Sequence, residues 1–118
     1  MICFISGHLD LTREFLTHYA PRLCAAVQDG AEFVVGDAAG ADLMAQELLS
    51  MLPAKVTVYH MLHAPRHNHG FETIGGFQSD RERDEAMTKN SDRDIAWVRP
   101  GREKSGTAKN LKRRLRVI

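Results

Sequence analysis

At 118 residues the chain is the size of one domain with one hydrophobic core. Its 43% apolar and 26% charged residues exclude a disordered, fibrous or membrane composition, and a net charge of +1 supplies no general attraction to nucleic acid or acidic membrane. The charge is unevenly spread: residues 99 to 118 carry eight cationic side chains against Glu103, a net of +7, and residues 1 to 98 carry eight against fourteen carboxylates, a net of −6.

In chain order, the run Met1 to Ser6 is apolar but too short for a signal peptide or a spanning helix, and reads as a buried strand over Ile2 to Ile5. Cys3 in that strand and Cys24 in a helical pattern lack metal-type spacing. Such cysteines behave as small buried hydrophobes of a reducing compartment, which points to the cytoplasm. A helix follows over Thr12 to Gln28, with Phe15, Tyr19, Leu23 and Val27 four residues apart on its buried stripe. Pro21 inside it lacks an N–H and predicts either a kink near Tyr19 or two shorter helices. Glu32 to Val35 is a second strand, and the Gly36–Asp42 loop leads into a helix carrying Leu43, Met44, Leu48 and Leu49.

Val56 to Met61 is the third strand, its Val56, Val58 and Tyr59 of the type strands favour. A polar loop spans His63 to Gln78. Ser79 to Glu82 reads as a capping box, Ser79 accepting from the Glu82 N–H while the Glu82 side chain returns to the Ser79 N–H, and the helix runs to Lys89. Ile95 to Val98 is the fourth strand, with Trp97 a core residue. The last helix starts near Ser105 or Gly106 and continues through Leu111 and Leu115. Strands alternating with helices predict one α/β domain, a parallel sheet of four strands, or five, with helices on both faces. The simplest order, 3-2-1-4, places a ligand crevice at the carboxyl ends of strands one and four.

Three turns would face that crevice. In Ser6-Gly7-His8, Gly7 lets the backbone approach a ligand while Ser6 and His8 offer hydrogen bonds; an ordinary tight turn is the plainer reading. In the loop Gly36-Asp37-Ala38-Ala39-Gly40-Ala41-Asp42, small residues make room for an anion at a helix N-terminus. Alternatively Gly40 and Ala41 permit close helix–sheet packing and Asp37 or Asp42 caps the helix. Ser105-Gly106-Thr107 offers backbone donors and two hydroxyls to a phosphate, with Arg102, Lys104 and Lys109 nearby.

The helix bearing Arg81, Glu82, Arg83, Asp84 and Glu85 has little apolar surface. It is either a solvated face, or an arginine clamps a phosphate while a carboxylate stabilises positive charge on a sugar. His60, His63, His67 and His69 lack a recognised two-plus-two zinc spacing and a cysteine partner, so no metal and no cofactor is expected; one of them could line the pocket.

Read together and in order, Gly36 to Asp42, Arg83-Asp84-Glu85-Ala86-Met87 and Gly106-Thr107 resemble the loops of the SLOG superfamily, which includes YpsA-like proteins, the DNA-processing protein DprA and the Lonely Guy phosphoribohydrolases. The resemblance covers nearly the whole chain. It departs at Asp37, where YpsA-like proteins carry a second glycine, and at Ala39, where they carry arginine. It implies a Rossmann-like fold, a pocket for a nucleotide or nucleoside monophosphate, and in some branches cleavage of an N-glycosidic bond or deoxyribosyl transfer. Arg83 matches the motif arginine of the phosphoribohydrolases, whereas Asn110 stands at their catalytic glutamate. For hydrolysis the carboxylate must then come from Asp37, Glu82, Asp84 or Glu85. The same kinship implies a homodimer, and with the basic C-terminal helix (Lys109, Lys112, Arg113, Arg114, Arg116) it keeps open a single-stranded nucleic-acid binder.

Overall fold

The computed structural model describes residues 1–117. The elements in order are β1 (Ile2–Ile5), α1 (Glu14–His18), α2 (Ala20–Gln28), β2 (Glu32–Gly36), α3 (Ala41–Leu49), β3 (Lys55–Met61), β4 (Glu72–Phe77), α4 (Asp80–Lys89), β5 (Arg93–Ile95) and α5 (Gly106–Val117). The five strands form one sheet in the order β4-β3-β2-β1-β5, every neighbouring pair parallel. This is a Rossmann-like α/β architecture, and the expected 3-2-1-4 order survives within it with one strand added outside β3.

Alternation along the strands divides the core. Cys3, Ile5, Phe33, Val35, Val56 and Val58 point to the face covered by α1, α2 and α3, where Tyr19, Leu23 and Leu49 close the larger core. Phe4, Val34 and Tyr59 point to the opposite face and meet Met87 of α4. The helix expected over Thr12 to Gln28 is two helices broken at Tyr19, whose backbone leaves the helical region (φ −122°, ψ −53°) and which precedes Pro21 in the first turn of α2. Proline is tolerated there because that N–H has no intrahelical partner. Val27, placed on the buried stripe from spacing, is half-buried, and Ala26 takes the fully buried position.

Three expectations need correction. The segment read as a polar loop contains β4, an edge strand whose residues Glu72 to Gly76 are all exposed. Gly75 and Gly76 form its irregular end: a Cβ on Gly75 would lie 2.1 Å from the His60 ring, and Gly76 has φ +91°. The last strand is Arg93–Ile95 rather than Ile95 to Val98, because its ladder with β1 pairs Cys3 with Arg93 and Ile5 with Ile95 and ends where β1 turns away. The carboxylate this places in the sheet, Asp94, is met by Arg114 of α5 at 3.1 Å. Finally, Ser79 caps α4 as expected, accepting from Glu82 N at 3.1 Å, but the Glu82 carboxylate accepts from Gln78 N at 2.9 Å instead of from Ser79. Among the described residues no helix is long and apolar enough to cross a membrane.

Candidate functional site

A cavity of about 270 Å³ opens at the carboxyl ends of β1 and β2, walled by the turn after β1, the start of the turn after β2, one face of α4 and the first turn of α5. The turn after β1 is held by its neighbours. Tyr19 donates its hydroxyl proton to Ser6 O at 2.8 Å and accepts from Trp97 N at 3.0 Å, joining this turn to the segment after β5. Burial pushes the Tyr19 hydroxyl up to about 12, so it remains a donor. A Cβ on Gly7 would lie 2.4 Å from Ala41 Cβ, so the turn and α3 approach as closely as only glycine allows.

His8 is buried, and its Nε2 accepts from Arg99 N at 2.9 Å, which leaves the proton of the neutral ring on Nδ1. Burial, then the nearby Arg102 and Arg99, lower its pKa and keep it neutral. Ser6 lines the cavity, and its buried hydroxyl has no protein partner.

The turn after β2 is used differently from the reading of an anion loop. Gly40 (φ +72°) and Ala41 lie outside the cavity wall: a Cβ on Gly40 would be 2.3 Å from His8 O, and Ala41 N donates to that same oxygen at 3.1 Å. Both residues serve the close packing of two turns. Gly36 and Ala38 do line the cavity, as does the carboxylate of Asp42, which accepts from Ala38 N at 3.3 Å. A Cβ on Gly36 would sit 2.5 Å from Asp42 Oδ2 and 2.9 Å from Arg83 Cζ, so the glycine clears the space those side chains occupy. Burial pushes the Asp42 carboxyl up to about 7 against the pull of Arg83.

Asp37 is 1% exposed and committed to two arginines. It accepts from Arg66 N at 2.9 Å, Arg66 Nε at 3.1 Å, Arg66 Nη2 at 2.9 Å and Arg83 Nη1 at 2.7 Å. Burial alone would raise its pKa; the Arg66 hydrogen bonds, with the charges of Arg66 and Arg83, hold it at about 2. Asp37 therefore anchors the connection between β3 and β4 and is no free catalytic carboxylate. Gln46 completes the anchor, donating to His67 O at 3.2 Å and accepting from His69 N at 3.1 Å.

Arg83 is likewise a hub. Its Nε and Nη2 bond Asp84 Oδ1 at 3.2 and 3.0 Å, and its Nη1 reaches Asp37 and, at 3.2 Å, Asp80. With its donors turned to carboxylates, Arg83 positions Asp84 in the cavity wall rather than standing free as an anion clamp. Asn110 is 3% exposed, lines the cavity and donates to Asp84 Oδ2 at 3.1 Å. Of the four carboxylates expected to serve catalysis, only Asp84 lines the cavity. Glu82 is spent on Gln78, and Glu85 is exposed and paired with Arg81 at 2.9 Å.

At the opposite wall stand Ser105, Gly106 and Thr107. Ser105 accepts from Ala108 N at 3.3 Å, which caps α5, and the first turn so capped forms this part of the cavity wall. Thr107 is buried, and Arg102 lies on the rim, loosely paired with Asp10 at 3.5 Å. Lys104 and Lys109 point to solvent.

The structure adds Arg66 and Asp80 to the wall. The sequence held no signal for Arg66 beyond a lone arginine in a polar loop. None of His60, His63, His67 and His69 lines the cavity; His60 is buried with Nδ1 3.0 Å from Met61 O. The basic helix is also less free than its sequence suggests: Arg114 is buried, donating to Thr88 O at 3.1 Å and Ser91 O at 2.9 Å, and Arg113 bonds Asn110. In comparisons with known proteins, no family model, no curated protein and no solved structure matches the chain.

Proposed function

We propose that this cavity binds a nucleoside monophosphate or a closely related nucleotide, and that the chain acts as a nucleotide-binding module. One observation carries the reading: the capped N-terminus of a twelve-residue helix, a glycine turn with an unpartnered buried hydroxyl, and a rim arginine share one cavity with a fixed carboxylate, Asp84. The phosphate is assigned to the first turn of α5 and to Arg102, because helix N-terminal N–H groups and a charged guanidinium favour an anion and Arg83 is already committed. The exposed Arg102–Asp10 pair costs little to give up. Asp84 is assigned to a sugar hydroxyl, and the apolar wall, with Leu9 and Met87, to the base. The volume of about 270 Å³ lies just below the ~300–1,000 Å³ range of small-molecule sites, which suits a mononucleotide better than a dinucleotide. The resemblance of the three loops to the SLOG superfamily supports the same ligand class.

A panel of nucleoside 5′-monophosphates scored by ligand-raised melting temperature tests the reading. At least one is expected to stabilise the chain, and Arg102→Ala is expected to weaken that effect without unfolding the protein. No stabilisation by any of them refutes it.

A second reading, cleavage of the N-glycosidic bond, is favoured by Asp84 specifically. Arg83 and Asn110 grip both of its oxygens, so it is fixed where it can stabilise an oxocarbenium-like transition state. Here the panel releases free base and Asp84→Asn abolishes release while binding remains. Binding without release leaves the module alone. A third outcome, steeply salt-dependent binding of single-stranded DNA, would favour the exposed Lys109, Lys112 and Arg116 of α5.

A further inference from the structure

Four carboxylates gather around the two guanidinium groups of the cavity, and they are not equally provided for. Asp37 pairs with Arg66 and Arg83, Asp80 pairs with both at the exposed rim, and Asp84 accepts from Arg83 and Asn110. Asp42 is the fourth. It is 6% exposed, and the space cleared by Gly36 brings its Oδ2 close to Arg83, yet it receives no arginine N–H; its one protein donor is Ala38 N, at 3.3 Å.

With every carboxyl ionised, Asp37, Asp42, Asp80 and Asp84 would set four negative charges against the two positive charges of Arg66 and Arg83. Protonating one carboxyl halves that surplus. The one that gives way is the one least stabilised as an anion, and Asp42 is buried, outside every salt bridge and supported by a single neutral hydrogen bond. Its surroundings supply no further counter-charge. It faces Arg83 and Asp84 from α4, Asp37 from the turn after β2, and the neutral Tyr19 hydroxyl from the α1–α2 junction. Burial, joined by the charges of Asp84 and Asp37, outweighs Arg83 and places this carboxyl at about 7.

A carboxylate only accepts hydrogen bonds, whereas the neutral acid also donates one. Asp42 forms part of the cavity wall, so this difference bears on what enters the cavity. Ser6, also 6% exposed and on the same wall, keeps its hydroxyl without a protein partner, so two buried groups with spare hydrogen-bonding capacity line one space.

We infer, resting on the nucleotide reading above, that Asp42 holds the ligand as a neutral carboxyl, donating its proton to a phosphate oxygen or to an acceptor of the nucleoside, and that binding weakens as Asp42 ionises.

The acid form is fully present well below the midpoint of its titration and is lost above it. Between pH ~6 and pH ~8 the acid fraction of a group titrating at about 7 falls about tenfold, and affinity is expected to fall with it. His8, on the same wall, is held below its ordinary value by burial and by Arg102 and Arg99, away from this window.

Isothermal titration calorimetry with each nucleoside 5′-monophosphate of the panel, at pH ~6 and pH ~8, tests the inference. Over that interval Kd of the wild type is expected to rise about tenfold more than Kd of Asp42→Asn, whose amide donates without titrating. Comparing the two proteins also cancels the titration of the ligand phosphate itself, at about 6. Equal pH dependence in both proteins, or tighter wild-type binding at the higher pH, overturns the inference and leaves the nucleotide reading standing. If inorganic phosphate shows the same difference between the two proteins, the acceptor is a phosphate oxygen; a difference confined to the nucleotide assigns it to the nucleoside. Carbon-13 titration of the carboxyls in the free protein separates the two failures. A resonance titrating at about 7 and missing from Asp42→Asn is expected, and an Asp42 carboxyl titrating at about 4 refutes the inference by itself. No nucleotide binding at either pH refutes the nucleotide reading and, with it, the ligand assigned to Asp42.

Discussion

Replacing Asp37 by asparagine isolates the role the structure assigns to it. The substitution keeps shape and one acceptor oxygen but removes the charge that two guanidinium groups share, and it turns an amide N–H₂ toward Arg66 or Arg83, which offer only donors. Breaking a buried ion pair by removing one partner costs about 3–5 kcal/mol. Arg83 retains Asp84 and Asp80, and Arg66 retains Asp80 at 3.0 Å, so the lower end, about 3 kcal/mol, is expected. Against a typical total of ~5–15 kcal/mol this is a large fraction. Urea unfolding should show the midpoint falling with an unchanged slope.

Adding Arg66→Met to Asp37→Asn should cost clearly less than the sum of the single changes, because both remove the same contacts. The acid limb gives an independent reading. The folded carboxyl titrates at about 2, below its value near 4 in the unfolded chain. Its contribution is present above pH ~4 and disappears as pH falls toward about 2, and the variant should lack that part of the acid sensitivity. A loss under about 1 kcal/mol, the range of exposed pairs, would show that the Asp37–Arg66–Arg83 network does not hold the β3–β4 connection.

Asp42 should behave with the opposite sign: its folded pKa of about 7 lies above the unfolded value, so its contribution is full below pH ~4 and is lost as pH rises through 7, and unfolding midpoints of Asp42→Asn should not decline over that window. Gly40→Ala, forced to φ +72° with its Cβ 2.3 Å from His8 O, should lose at least ~2 kcal/mol, whereas Gly101→Ala, with φ +89° and open space, should lose only the ~1–2 kcal/mol of the left-handed conformation; equal losses would show that the contact with His8 is immaterial. Glu85→Gln, on an exposed i,i+4 pair, should change stability by less than about 0.5 kcal/mol and leave nucleotide binding intact, and weakened binding would return Glu85 to the site.

The chain's legible parts are those dictated by neighbours in sequence. The alternation of strand and helix, the break before Pro21 and the Ser79 cap depend on residues within one or two turns of each other. The crevice followed from them, because parallel strands joined by helices carry their carboxyl-end turns to one edge of the sheet, and the turns after β1 and β5 and the start of the turn after β2 do meet there. Local pattern also named both readings of the Gly36–Asp42 loop, and the packing one describes Gly40 and Ala41.

What tertiary structure alone decided are the partnerships across the fold. β4 has no alternation to read, since Glu72 to Gly76 of this edge strand are all exposed and only Phe77 at its end packs on the core. Asp37 became an anchor rather than a catalyst because Arg66 and Arg83, 29 and 46 residues away, arrive at the same buried point. Asp94 could enter β5 because Arg114, 20 residues on, turns back to neutralise it. Propensity and period act over a few residues, whereas the cost of burying a charge is settled only where the folded chain brings its counter-charge.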